Sequence, residues 1–183
     1  SGYQPWEEVS LALDVAASSV AATFEVSPKR YLGLIHDFPI LSLEDPFGEE
    51  AWEDWAKFRQ EMDDSNATSK KLLLVGDDIF ATNPERLNKG IETKAANAIL
   101  VKLNQIGTLT ETLQVVETAR AAGYVIIVSH RSGETLDDYI ADFAVGINAQ
   151  FIKTGAPNDA HPERMAKYRR LLTIEQKLGA NAG

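Results

Sequence analysis

Three carboxylates and four cationic side chains occupy equivalent places along this chain. Asp14, Glu44 and Asp77 each follow a short apolar run, and so do Lys102, His130 with Arg131, and Lys153. Like charges brought together repel, so a cluster of acids calls for a cation. Hard carboxylate oxygens select magnesium or a similar ion. A lysine directly after an apolar strand (Ile99-Leu100-Val101-Lys102) is costly to bury without a purpose. Among other cations its pKa should fall, which suits a general base. Arg131 and Ser132 offer donors matched to a phosphate, and Lys153 could neutralise a substrate carboxylate. Taken singly, an acid at a strand-to-helix turn is more often a helix cap, a lysine a surface charge and a histidine a structural residue. His36 and His161 are assigned to that ordinary category. Asp78 could orient a neighbouring ligand or cap a helix. Three acids in matching positions, followed by three basic ones, favour a site.

The elements that must position these groups are legible as apolar runs. They are Ser10–Leu13, Ile40–Leu43, Leu72–Val75, Ala98–Val101, Val125–Val128 and Phe151–Ile152. Such runs suit strands buried on both faces. Helical spacing fills the gaps at Glu49–Glu61, Pro84–Ala96, Thr108–Ala122, Glu134–Val145 and Pro162–Leu178. Thr82-Asn83-Pro84 supplies a cap and a first-turn proline, and Gly123 supplies a stop. The charged run-ends recur at intervals of 30, 33, 25, 28 and 23 residues, the length of one strand-helix unit. Alternation of this kind predicts a parallel sheet with right-handed crossovers. The repeat is architectural, with no similarity between the repeated sequences.

Two α/β folds compete. A doubly wound sheet usually carries a glycine-rich first turn, which is absent. A (β/α) TIM-type barrel gathers functional residues at the C-terminal ends of many strands, as here. Six strands are predicted where a closed barrel needs eight. Either two lie outside this sequence or the barrel is incomplete. Polar Met62–Lys71 is expected to be an exposed, mobile loop, and Trp6, Trp52 and Trp55 to be packing residues.

Composition narrows the function. The chain has 183 residues, enough for one domain with a real core, and is 44% hydrophobic and 25% charged. A net charge of −9 argues against a general nucleic-acid binder but leaves room for a small anion held by local cations. There is no cysteine, so disulfides, thiolate zinc sites and cysteine nucleophiles are excluded. No stretch approaches the length of a membrane span, and the N-terminus lacks the layout of a signal peptide. Asn66-Ala67-Thr68 fits the glycosylation pattern by chance.

Several segments resemble the enolase family. They are Ser42-Leu43-Glu44-Asp45-Pro46-Phe47, Gly76-Asp77-Asp78 with Thr82-Asn83-Pro84, and Leu103-Asn104-Gln105-Ile106-Gly107. Ser129-His130-Arg131-Ser132-Gly133-Glu134-Thr135 and Ile152-Lys153-Thr154-Gly155-Ala156-Pro157 are similar too, as is Leu13-Asp14-Val15-Ala16-Ala17-Ser18. The resemblance runs from about Ser10 to Leu178. It implies a cytoplasmic, magnesium-dependent lyase of glycolysis and gluconeogenesis, interconverting 2-phosphoglycerate and phosphoenolpyruvate. By the same resemblance, Asp14, Glu44 and Asp77 hold the metal, and Glu44 and Asp77 also face substrate. Lys102 is the base that removes the C2 proton. Lys153 holds the substrate carboxylate and stabilises the enolate-like intermediate. Arg131 and Ser132 bind phosphate, Ser132 being tied also to a second magnesium, and His130 lies near the substrate.

Departures from the family carry expectations as well. Residues 1–183 are expected to be the C-terminal barrel region. The N-terminal domain, the first barrel strands and the glutamate general acid would then precede it. The stretch from Ala17 to Pro39 is shorter than the family's, Ser19 stands where a glutamate is usual, and Gly183 falls before the family's tail. A homodimer is expected of the full-length protein. The isolated chain is expected to be weakly active or inactive. An enolase-like binding module without turnover is the alternative.

Overall fold

A computed structural model describes residues 9–12, 28–64 and 72–179. Six parallel strands form one sheet in sequential order: β1 (Val9–Ala12), β2 (Ile40–Glu44), β3 (Leu73–Gly76), β4 (Ala98–Val101), β5 (Val125–Ser129) and β6 (Phe151–Lys153). Helices α1 (Pro28–Asp37), α2 (Trp52–Asp64), α3 (Pro84–Thr93), α4 (Leu103–Ile106), α5 (Leu109–Ala121), α6 (Tyr139–Gly146) and α7 (Pro162–Leu178) complete the described chain. Among the described residues strand order never reverses, so they hold no switch point of the doubly wound kind.

Two apolar clusters decide between the competing folds. Alternate residues of a strand point to opposite faces. Leu74, Ile99, Val101, Ile126 and Val128 join buried residues of α1, α2, α3, α5 and α6 in the large core. Leu73, Val75, Ala98, Leu100 and Ile127 form a second cluster built from strands alone. Helices thus line one face, and strand side chains fill the other, as in a barrel interior. The sheet is also curled. Four strand spacings in a flat sheet would separate β2 from β6 by ~19 Å. Yet Lys153 Nζ of β6 lies 2.6 Å from Glu44 Oε1 of β2. The described residues form six strands of a (β/α) barrel, two fewer than a closed one.

Local chemistry explains the element ends. Asn83 Oδ1 accepts from the backbone N–H of Glu85 (2.8 Å) and Arg86 (3.1 Å), and Pro84 opens α3. Thr108 caps α5, and Gly123 (φ 77°) follows its end. The start of β4 is held by a side chain: Asn97 Oδ1 accepts from Leu74 N (2.7 Å) and Nδ2 donates to Leu72 O (2.9 Å). On α2, Trp52, Trp55 and Phe58 recur every third residue and are buried. Phe47, just past β2, packs edge-on against Trp55, Phe58 and Tyr31, which fixes the exit of that strand.

Three expectations change. Met62–Asp64 belong to α2 rather than to a loop; residues 65–71, including Asn66 of the glycosylation pattern, lie outside the described residues. Helix α6 begins at Tyr139 instead of Glu134, because side-chain turns precede it: Thr135 Oγ1 accepts from Asp137 N (3.2 Å) and Asp137 Oδ1 from Tyr139 N (3.1 Å). Helix α1 was not anticipated; it buries Tyr31 and Ile35, one turn apart. Trp6, Asp14, Ala17 and Ser19 lie outside the described residues.

Candidate active site

The C-terminal ends of β2 to β6 surround a cleft of about 420 Å³. β3, β4 and β5 deliver their polar residues there because the apolar residues before them are fixed in the core, whereas β6 carries an exposed Phe151 before Lys153. Glu44 and Asp45 come from β2, Asp77 and Asp78 from β3, and Lys102 from β4. Ser129 to Ser132 come from β5, and Lys153 from β6. All seven described candidates (Glu44, Asp77, Lys102, His130, Arg131, Ser132 and Lys153) line this one cleft. Asp14 lies outside the described residues, and His36 and His161 are not among the residues that line the cleft.

Acids and bases in the cleft are paired. Lys102 Nζ donates to both oxygens of Asp77 at 2.6 Å. The two side chains are only 13% and 11% exposed, so solvent screens this pair weakly. Lys153 donates to Glu44 across the curled sheet. Arg131 Nη1 donates to Asn104 Oδ1 at 3.3 Å. The backbone under Lys102 is fixed by Thr82, whose Oγ1 accepts from Lys102 N (3.0 Å) and donates to Gln105 Oε1 (2.6 Å).

Asp45 is the residue the sequence argument passed over. Its oxygens accept the backbone N–H groups of Asp77 (3.0 Å) and Asp78 (2.9 Å), tying the exit of β3 to that of β2. Its own φ is 43°, a left-handed conformation that aspartate tolerates better than most residues. Burial pushes its carboxyl up to about 7, against the pull of those two N–H donors. An Asp-Pro pair favours a turn, but nothing local to it foretells the contact with β3, which is tertiary.

The oxygen chemistry fits a hard divalent cation. Carboxylate oxygens of Asp45, Asp77 and Asp78 all lie within 4.8 Å of one another. Glu44 stands beside Asp45 in the same cleft. The lysine ammonium groups supply the positive charge that these acids need, at Asp77 and at Glu44. No helix among the described residues is long and apolar enough to cross a membrane.

Comparison with known proteins agrees with this architecture. The family described as "Enolase, C-terminal TIM barrel domain" matches residues 20–183. An enolase of Beutenbergia cavernae is 50% identical over 98% of this chain and 43% of its own length. One from Bifidobacterium animalis subsp. lactis is 48% identical over 100% of the chain and 44% of its own length. One from Elusimicrobium minutum is 51% identical over 96% and 42%. The chain therefore spans less than half the length of the curated relatives it matches. With a curled parallel sheet, acids and lysines at successive strand ends, and half its residues shared with these relatives, the chain belongs to the enolase family as a C-terminal barrel region.

Proposed function

We propose that the protein carrying this chain catalyses the magnesium-dependent dehydration of 2-phosphoglycerate to phosphoenolpyruvate, and the reverse. The observation that supports this reading most is the convergence of seven side chains of the required types on one cleft. Lys102, once its ammonium has lost a proton to solvent and stands as the neutral amine, accepts the C2 proton, and the electron pair left behind is delocalised into the substrate carboxylate. Lys153 balances that doubled negative charge. Arg131 and Ser132 bind the phosphate, and His130 lines the wall beside them. Loss of the C3 hydroxyl as water then requires a proton from an acid that this reading places elsewhere in the full-length protein. Asp14, Glu44 and Asp77 are the ligands proposed for magnesium, with the Asp45–Asp78 carboxylates adjoining. The metal, when bound, supplies Lewis-acid stabilisation of the substrate carboxylate. Residues 1–183 act in this reading as the barrel region of a longer, cytoplasmic, homodimeric enzyme.

Lys102→Met in the full-length protein tests the assignment. The expected result is a loss of turnover of roughly 10²–10⁴-fold, with 2-phosphoglycerate still bound. Unchanged turnover would remove Lys102 from the base role. For the isolated chain we expect little or no phosphoenolpyruvate formation with magnesium present, and robust turnover would overturn that expectation.

A further inference from the structure

His130 is held from behind by a pair of residues that the proposed chemistry does not use. Its Nδ1 lies 2.5 Å from Glu134 Oε1. The other oxygen, Glu134 Oε2, lies 2.7 Å from Lys167 Nζ. Lys167 comes from α7 and is 3% exposed, and the Glu134 side chain is 10% exposed. The ammonium donates aligned hydrogen bonds to the carbonyls of Thr135 (2.7 Å) and Glu163 (2.8 Å). Oε2 makes a close charge contact with it rather than an aligned hydrogen bond. Lys167 therefore fixes both the loop after β5 and one face of the Glu134 carboxylate.

We propose that Glu134, oriented by Lys167, is a positioning residue that fixes the Nδ1–H form of His130 and leaves Nε2 for the cleft. A carboxylate only accepts, so the proton of this contact must sit on Nδ1. Nε2 has no hydrogen-bond partner among the described residues, while His130 lines the cleft beside Arg131 and Ser132. The negative charge of Glu134 is balanced by Lys167, so orientation costs the cleft no net charge. The role in turnover rests on the dehydratase reading; the tautomer does not.

Nitrogen NMR of the histidine rings in the 183-residue chain tests this, at a pH where the rings are neutral. Protonated and unprotonated ring nitrogens resonate in separate regions. His130 is expected to carry its proton on Nδ1. In Glu134→Gln the shape is kept, but Lys167 can only donate. It therefore holds the amide oxygen and turns the amide N–H toward His130. The tautomer should then invert to Nε2–H. Adding Lys167→Met frees the amide to rotate, and Nδ1–H should return. A wild-type proton on Nε2, or a Glu134→Gln ring that stays Nδ1–H, overturns the proposal, and neither outcome depends on how the double variant folds. In the full-length protein, Glu134→Gln should lower turnover of 2-phosphoglycerate roughly 10–100-fold with little change in KM, as expected when a histidine loses its orienting partner. Absence of turnover in the wild-type protein, with the tautomer inverting as described, would sink the dehydratase reading and leave the positioning role standing.

Discussion

Gly90→Ala should destabilise this protein, although alanine is the better helix former. Gly90 lies inside α3, where replacing glycine by alanine ordinarily gains about 1 kcal/mol. Here a Cβ would stand 2.3 Å from Phe80 Cε1 and 2.8 Å from Cζ. Carbon atoms pack best at about 3.5–4 Å, so the ring would have to move by more than ~1 Å. It has nowhere to go. On its other edge Phe80 is pressed against Gly76, where an added Cβ would meet the ring at 2.4 Å, and the ring is fully buried. Overpacking of this kind costs about 1–3 kcal/mol, and a ring confined from two sides belongs at the upper end. The net expectation is a loss of about 1–2 kcal/mol. Urea unfolding followed by circular dichroism would read it as a lowered midpoint at constant slope. Phe80→Leu should relieve the clash, so the double variant should be more stable than the sum of the single losses allows, by about 1 kcal/mol or more. A neutral or stabilising Gly90→Ala, or strict additivity with Phe80→Leu, would refute the claim that the ring is clamped.

Removing Lys102 as Lys102→Met leaves Asp77 nearly buried without its partner, at a cost of about 3–5 kcal/mol. Thermal melts should show magnesium raising the midpoint more in this variant than in wild type; equal shifts would mean that the lysine and a cation do not compete for Asp77. Asn97→Ala removes two buried hydrogen bonds that hold β3 to β4, and about 2–4 kcal/mol should go with them in chemical denaturation. Burial pushes the phenols of Tyr31 and Tyr124 up to about 12, so the native state keeps those protons after the unfolded chain, with its ordinary value of 10, has lost them. Stability should therefore fall as pH rises from 10 to 12. An ultraviolet titration should show Tyr31 and Tyr124 ionising above the ordinary phenol range.

β3, β4 and β5 were legible because buried parallel strands leave uninterrupted apolar runs. Helix α3 was legible for a local reason as well, since Asn83 and Pro84 are cap and first turn. What escaped the sequence was tertiary. Asp45 reads as part of an Asp-Pro turn; its link to Asp77 and Asp78 exists only because β2 and β3 are neighbours. Lys167 reads as one more charge on an exposed helix, and its burial depends on a loop more than thirty residues earlier. Helical periodicity extended α6 back to Glu134, but the hydroxyl of Thr135 and the carboxylate of Asp137 accept the backbone N–H groups of Asp137 and Tyr139, and these local turns compete with the helix. In α1 the signal was only Tyr31 and Ile35 at one-turn spacing, too short to stand out.

The contact between Lys153 and Glu44 also sets an order of events. Its two ends are 109 residues apart, and they meet only when the sheet has curled through five strands. Neighbouring strands can pair as local strand-helix units close, each a short loop by comparison. The long contact must come after them, once the chain has already surrendered most of its freedom. It should therefore be absent from the folding transition state and present in the native one. Lys153→Met would then leave the refolding rate unchanged and raise the unfolding rate, so that this one ion pair acts on how long the curled state lasts rather than on how fast it is reached.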